Sequence, residues 1–367
     1  MNNETAQQLI RLSLIHFRNY SEAEFHFCPK INCLAGDNGT GKTNVLDAVY
    51  YLSMTKSCLN PSDSQNIRYD EDFFVLQGEY LRKGEPENLY CGVKRGQKKV
   101  FRRNKKNYER MSDHIGLIPV VMISPADNSL ILGGSDERRR FMNEVIAQYD
   151  HQYLNDVIHY NHAVEQRNAL LKSPVFDREV LEVWNEQLIQ TGNRIFRSRI
   201  GFCASLIPVF RQYYRQIADK DEKVELVYRS QLQEKDFSLL LRESFEKDRI
   251  LQFTTCGIHK DDLLLQMDGI PIKRSGSQGQ QKTFLVALKL ANSDFIRQHC
   301  GITPLLLLDD LFDKFDARRV GHIVQLVSED SFGQIFITHT GREHIETILK
   351  QTGCEYRLLE TASGYLH

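Results

Sequence analysis

Eight cysteines are spread along the 367 residues without a single C-x-x-C pair, so their spacing suggests neither a zinc site nor a redox couple. A chain of this length has no need of disulfide staples, and reduced thiols in a cytoplasmic protein are the simplest expectation. Long apolar runs are missing too. The most apolar stretch, 304–308, is far short of the ~20 residues that span a bilayer. The first ten residues lack a basic start followed by an apolar stretch, so no signal peptide is read there. Nor is there an excess of charge of one sign. The formal net charge is −1, which neither points to nor excludes a nucleic-acid partner, because a local basic patch is enough. No internal repeat and no low-complexity tail is visible.

What is present falls into three blocks, and the length suggests two compact units at roughly 100–200 residues each. Up to about residue 110, stretches 9–17 and 22–27 alternate like half-exposed strands. Ile31–Ala35 is a short apolar strand, and 73–80 and 89–94 suggest two more. Residues 44–54 repeat apolar side chains at helical spacing, which predicts a helix with one buried face. Residues 117–123 are nearly all apolar and predict a buried strand. The middle block is helical: apolar residues recur in steps of three and four over 136–171 and 177–218, with Ser173 and Pro174 marking a turn. Two long helices so joined should pack antiparallel, and the lack of sustained heptads separates this arm from a long coiled coil. Mixed character then returns, with strands expected at 224–228, 263–267, 305–308 and 334–338 and a helix over 278–297.

The chemistry begins at Gly36-Asp37-Asn38-Gly39-Thr40-Gly41-Lys42-Thr43, a match to G-x-x-x-x-G-K-[ST] set between an apolar strand and a helix. Glycines let the backbone wrap phosphate oxygens, while amides and the helix N-terminus supply positive potential. Lys42 is placed to reach the β- and γ-phosphates and Thr43 to hold Mg²⁺, with Asn44 continuing the ATP cradle. The second signal is the apolar run 305–308 followed by Asp309 and Asp310, which puts carboxylates at a strand end, where α/β folds bind ligands. Asp309 is the expected Mg²⁺ ligand. Asp310 is the group expected to orient or deprotonate the attacking water.

Residues 275–282 resemble the LSGGQ signature of ABC ATPases, with Ser277, Gly279 and Gln280 at matching places. In that class the motif faces the γ-phosphate held by a second subunit, so an ATP-dependent homodimer is implied. Asp316 matches the D-loop aspartate at that interface, and His339, after a strand, matches the switch histidine. Taken alone, a polar helix cap and a surface histidine are plainer readings of these pieces; their order in the series raises them. Together the motifs imply an α/β ABC/SMC-like P-loop ATPase head with an inserted helical arm. The expected division is 1–123 with Walker A, 124–255 as the arm, and 256–367 with the signature and Walker B. The distance from Lys42 to Asp309 exceeds that in transporter ATPases but leaves no room for the coiled coils of SMC proteins.

Further segments carry a resemblance to the RecF family of bacterial recombinational-repair ATPases over nearly the whole chain. Phe17-Arg18-Asn19-Tyr20 is similar to its FRNY segment near the adenine, which adds Arg18 and Asn19 to the candidate nucleotide contacts. Ser124-Pro125-Ala126-Asp127 resembles SPED, Arg138-Arg139-Arg140-Phe141 resembles RRRF, and Gly257-Ile258-His259-Lys260-Asp261-Asp262-Leu263 resembles GPHRDDL. The paired Asp309-Asp310 is itself a family trait. The chain departs from the pattern at Asn143, Ile258, Lys260, His339 and residues 55–57, and it lacks the usual Q-loop glutamine near Pro125. The resemblance implies slow ATP hydrolysis, ATP-driven dimerisation and binding to single-stranded and gapped DNA. It also implies work with RecO and RecR in loading the recombinase, and induction of the SOS response, in the cytoplasm and without a membrane.

The clearest basic segment is 93–110, where Lys98, Lys99, Arg102 and Arg103 stand out as candidate DNA contacts. A solvated hairpin edge is the other reading, since lysines also protect exposed strands. The three arginines 138–140 open a helix against its dipole, which points to a tertiary partner or an ion-pair network. Two other functions use the same pocket: a nucleotide-gated scaffold with little hydrolysis, and the ATPase subunit of a membrane transporter, which the long arm argues against.

Overall fold

Every residue of the strands Ile31–Ala35 and Leu305–Leu308 is buried, so each strand is covered on both sides. The structure is a computed structural model describing residues 6–174, 177–218, 222–311, 317–362 and 365–366. It divides into two compact units, residues 1–127 with 285–367, and residues 128–284.

In the first unit the apolar strands join one sheet. Its order is Tyr365–Leu366, Tyr356–Ala362, Ile31–Ala35, Ile335–His339, Leu305–Leu308, Val120–Ile123, and all pairings but the first are parallel. The register sets His339 beside Ala35 and Ile337 beside Leu308, so the ends of three neighbouring strands meet along one edge. A second, antiparallel sheet runs Tyr20–His26, Gln7–Phe17, Phe73–Arg82, Glu85–Lys94, Val100–Arg103, Lys106–Asn107. The buried Gln334 amide ties the two sheets together: it accepts from Leu9 N at 2.7 Å and donates to the Leu9 and Cys28 carbonyls, each at 2.9 Å.

The helix Lys42–Met54 packs against strands of both sheets. Eleven of its 13 residues are therefore buried, where the spacing predicted one buried face. Elements that the sequence patterns left unassigned in this unit include the helices Ala317–Ser328 and Arg342–Thr352 and the strand Tyr356–Ala362.

The second unit contains the arm. The run expected as one helix over 136–171 is broken into Ser135–Ile146 and His151–Lys172, because the Asp150 carboxylate accepts from Tyr153 N at 2.9 Å and starts a new helix. The next helix, Arg178–Ile217, has 40 residues and is capped by Asp177. At 1.5 Å per residue it is roughly 60 Å long. A further helix, Phe237–Leu251, had no counterpart in the sequence patterns. The antiparallel sheet of Ile270–Pro271, Asp262–Met267 and Val224–Arg229 keeps the chain in this unit as far as residue 284, beyond the expected boundary at 255/256. Among the described residues no helix is long and apolar enough to cross a membrane.

Candidate nucleotide site

Between the strand Ile31–Ala35 and the helix Lys42–Met54 the chain turns through Gly36, Gly39 and Gly41, all at positive φ (154°, 85° and 106°). Only glycine adopts such values without strain. Two of the three also lack room for a side chain. A Cβ on Gly36 would stand 2.5 Å from the Thr361 carbonyl oxygen, and one on Gly41 would stand 2.5 Å from the Asn19 amide. Lys42 Nζ donates to the carbonyls of Gly36 and Asp37 at 2.6 and 2.8 Å, which folds its ammonium back over the loop.

The neighbouring strand ends bring the acidic pair to the same place. Thr43 Oγ1 donates to Asp309 Oδ1 at 2.8 Å, joining the two motifs across 266 residues of sequence. Thr338 Oγ1 donates to the same oxygen at 2.9 Å and accepts from Asp310 N at 2.8 Å. Asp310 sits at φ 43°, a left-handed conformation costly for a side-chain-bearing residue. Burial raises the Asp309 carboxyl above its usual range and the nearby Asp310 charge adds to this, while the Thr43 and Thr338 hydroxyls and Lys42 oppose it. His339 is buried between the two motifs, and its carbonyl accepts from Gly36 N at 3.3 Å.

This donor set suits Mg²⁺, a hard cation usually held by one or two protein oxygens together with phosphate oxygens and water. No group of three or more His, Cys, Asp or Glu able to hold a metal occurs among the described residues.

The family profile for the RecF/RecN/SMC N terminal domain matches residues 8–357. The DNA replication and repair protein RecF of Phocaeicola vulgatus is 54% identical over 359 residues, with 97% of both chains covered. The RecF of Bacteroides fragilis is 52% identical over 362 residues, with 98% of both covered. The chain belongs to the RecF family. A solved structure of the recombination mediator protein RecF-ATP in the RecFOR pathway matches with a TM-score of 0.89 at 26% identity, covering 99% of this chain and 98% of that one. An Smc head domain from Pyrococcus furiosus matches in fold alone, with a TM-score of 0.57 at 14% identity over 98% and 95% of the two chains. The ABC/SMC-like head expected from the motifs is thus the fold, and these relatives do not favour the transporter or scaffold readings.

The other RecF-like segments take up definite places. Asn19 Nδ2 donates to the Thr40 carbonyl at 3.0 Å and Asn19 Oδ1 accepts from Asn44 Nδ2 at 2.6 Å, so both asparagines brace the loop. Arg18 lies behind them, bonded to Asp47 at 2.7 Å, Asn44 at 3.0 Å and Ser57 at 3.0 Å. In the signature segment, Ser277 N donates to Gln280 Oε1 at 2.7 Å and Gln280 N donates to Ser277 Oγ at 3.3 Å, a reciprocal cap on the helix Gln278–Cys300. Ser277 is exposed and Gly279 half-buried. Asp316 lies outside the described residues.

The basic segment separates into two kinds of residue. Lys99 pairs with Asp63 at 2.9 Å and donates to the Thr55 carbonyl at 2.6 Å, while Arg103 grips Glu87 through two nitrogens. Lys98 is exposed, and so is Arg102, which lies over the Tyr90 ring and donates to Asn107 at 2.9 Å. Arg138 and Arg139 belong to an ion-pair network: Arg138 forks onto Asp262 at 2.6 and 3.0 Å, and Arg139 donates to the Asp261 carbonyl at 2.6 Å.

Sequence reasoning passed over two groups at the strand ends. Thr338 gave no signal, because a threonine in an apolar strand reads as packing. Lys289 pairs with Asp127 at 2.6 Å and donates to the Met122 carbonyl at 2.9 Å. It was visible as a lone lysine within the apolar stretch 284–291.

Proposed function

We propose that this chain is an ATP-dependent DNA-binding protein of recombinational repair and replication. The observation that carries the reading is the Thr43–Asp309 bond of 2.8 Å, which makes one polar centre of the phosphate loop and the acidic strand end. In this reading the amides of Gly36–Thr43 bind the triphosphate, and Lys42 turns from the loop carbonyls to the β- and γ-phosphates. Thr43 and Asp309 would hold Mg²⁺, which when bound offsets charge on the transferring phosphoryl group. Asp310 accepts the proton of the attacking water, and His339 contacts the γ-phosphate side. Arg18 acts from behind through Asn44. Hydrolysis is slow and regulatory.

Each chain supplies half of a shared site. Ser277, Gly279, Gln280 and Asp316 meet the nucleotide of a second copy, and the exposure of Ser277 supports this. The closed dimer binds single-stranded or gapped DNA through phosphate contacts, with Lys98 and Arg102 as exposed members of the basic segment. Lys99 and Arg103 hold that segment in shape. As a member of a family that includes the RecFOR-pathway mediator, the protein acts in the cytoplasm with RecO and RecR on recombinase loading. Sedimentation with and without ATP tests the core of this reading. Asp310→Asn should trap an ATP-bound dimer and Lys42→Met should stay monomeric; monomers throughout would sink the shared-site reading.

A further inference from the structure

Thr361 ends far from any motif, 321 residues along the sequence from Thr40, yet its strand Tyr356–Ala362 pairs with Ile31–Ala35 and delivers it to the phosphate loop. The two hydroxyl oxygens are buried and 2.8 Å apart. Thr40 Oγ1 is also 2.9 Å from the Asp37 carbonyl, which can only accept. The proton order follows: Thr40 donates to Asp37, and Thr361 donates to Thr40. The Ala35 carbonyl, at 3.4 Å, is a longer second acceptor for Thr361. The Asp37 carbonyl at the end of this chain also takes Lys42 Nζ at 2.8 Å. The backbone reinforces the hydroxyls, since the Thr361 carbonyl fills the space a Gly36 side chain would need.

We propose that Thr361 is a positioning residue of the nucleotide pocket, fixing the curve of the loop through Thr40 and so setting the affinity for the triphosphate. The proposal rests on the reading of Gly36–Thr43 as the ATP site. Thr361→Val keeps the size of the side chain but leaves the Thr40 oxygen without its buried donor, a loss that translates to about tenfold in binding.

Titration calorimetry of the full chain with Mg·ATP should give a Kd about tenfold weaker for T361V, while Thr361→Ser stays within about twofold. Steady-state hydrolysis should show KM raised to match and kcat nearly unchanged, a split that general damage to the fold would not produce. Thr361→Cys, a weaker donor, should fall between the two and keeps the test open if T361V folds poorly. Unaltered affinity in T361V and T361C would overturn the proposal, as would T361S weakened as much as T361V. If the unaltered chain itself took up no ATP, the reading of the pocket would fall first.

Discussion

Arg199 and Asp309 are both buried, but their surroundings differ. In the arm unit Arg199 pairs with Asp261 at 2.7 Å and also meets the Ile258 carbonyl at 2.8 Å, Tyr153 at 3.1 Å and Asn143 at 3.1 Å. Arg167 and Asp248 repeat the pattern at 2.7 Å, with Thr254 2.9 Å away. There each buried charge meets its opposite inside the unit. In the head unit the buried Asp309 is bonded instead by two hydroxyls at the open end of a sheet. Ion pairs that are complete within one unit serve architecture. A carboxylate held by hydroxyls beside a glycine loop has no opposite charge bonded to it among the described residues and suits the cation of the proposed function.

This contrast can be broken from either side. The largest effect should come from Arg199→Met, which strands Asp261. Denaturant unfolding should show a loss of about 3–5 kcal/mol, whereas equal stability would mean the network is not structural. Acid comes next. His259 donates from Nε2 to the Thr254 carbonyl at 3.0 Å and accepts at Nδ1 from Tyr160 at 2.8 Å, and burial pushes its pKa down to about 4. The unfolded chain takes up this proton near pH 6.5 and the folded one only near 4, so stability should fall as pH drops through that window, by roughly 3 kcal/mol in full. His114 in the head, also near 4 and bonded to the Leu52 carbonyl, adds to the same slope. His259→Gln should flatten part of it in pH-dependent melts.

On the head side, Lys42→Met should weaken ATP binding by about a hundredfold or more, while the unfolding midpoint of the nucleotide-free chain stays nearly unchanged. Thr338→Val should lower kcat about tenfold and spare the Kd for ATP, because it loosens the acids rather than the loop. The smallest effect should follow charge reversal at Lys98 and Arg102. It should weaken DNA binding several-fold and reduce the salt slope by about one for each phosphate no longer neutralised, with ATP affinity unchanged.

How much of this could be read beforehand depended on whether a feature leaves a local mark. The phosphate loop and the acidic strand end do, because glycine, lysine and carboxylate requirements fall on consecutive residues. The cover on both sides of the helix Lys42–Met54 does not, since the second sheet that buries it comes from distant segments. The break at residue 150 turned on one capping aspartate within a run whose apolar spacing continued. Lys99 and Arg103 show the same limit: their charges are plain in the sequence, but the acids that meet them come from other segments of the same chain.

The parallel pairing of Ile31–Ala35 has a consequence for synthesis. Its ladder partners are residues 335–339 and 356–360, so on the ribosome this fully buried strand waits for nearly the rest of the chain. At ~5–20 residues per second that delay is on the order of tens of seconds. Until then the strand has two open backbone edges, and the loop that follows it lacks the neighbouring strands beside which it lies. A nascent or truncated chain is thus a poor nucleotide binder and an aggregation hazard, and chaperone demand should fall most heavily on this stretch.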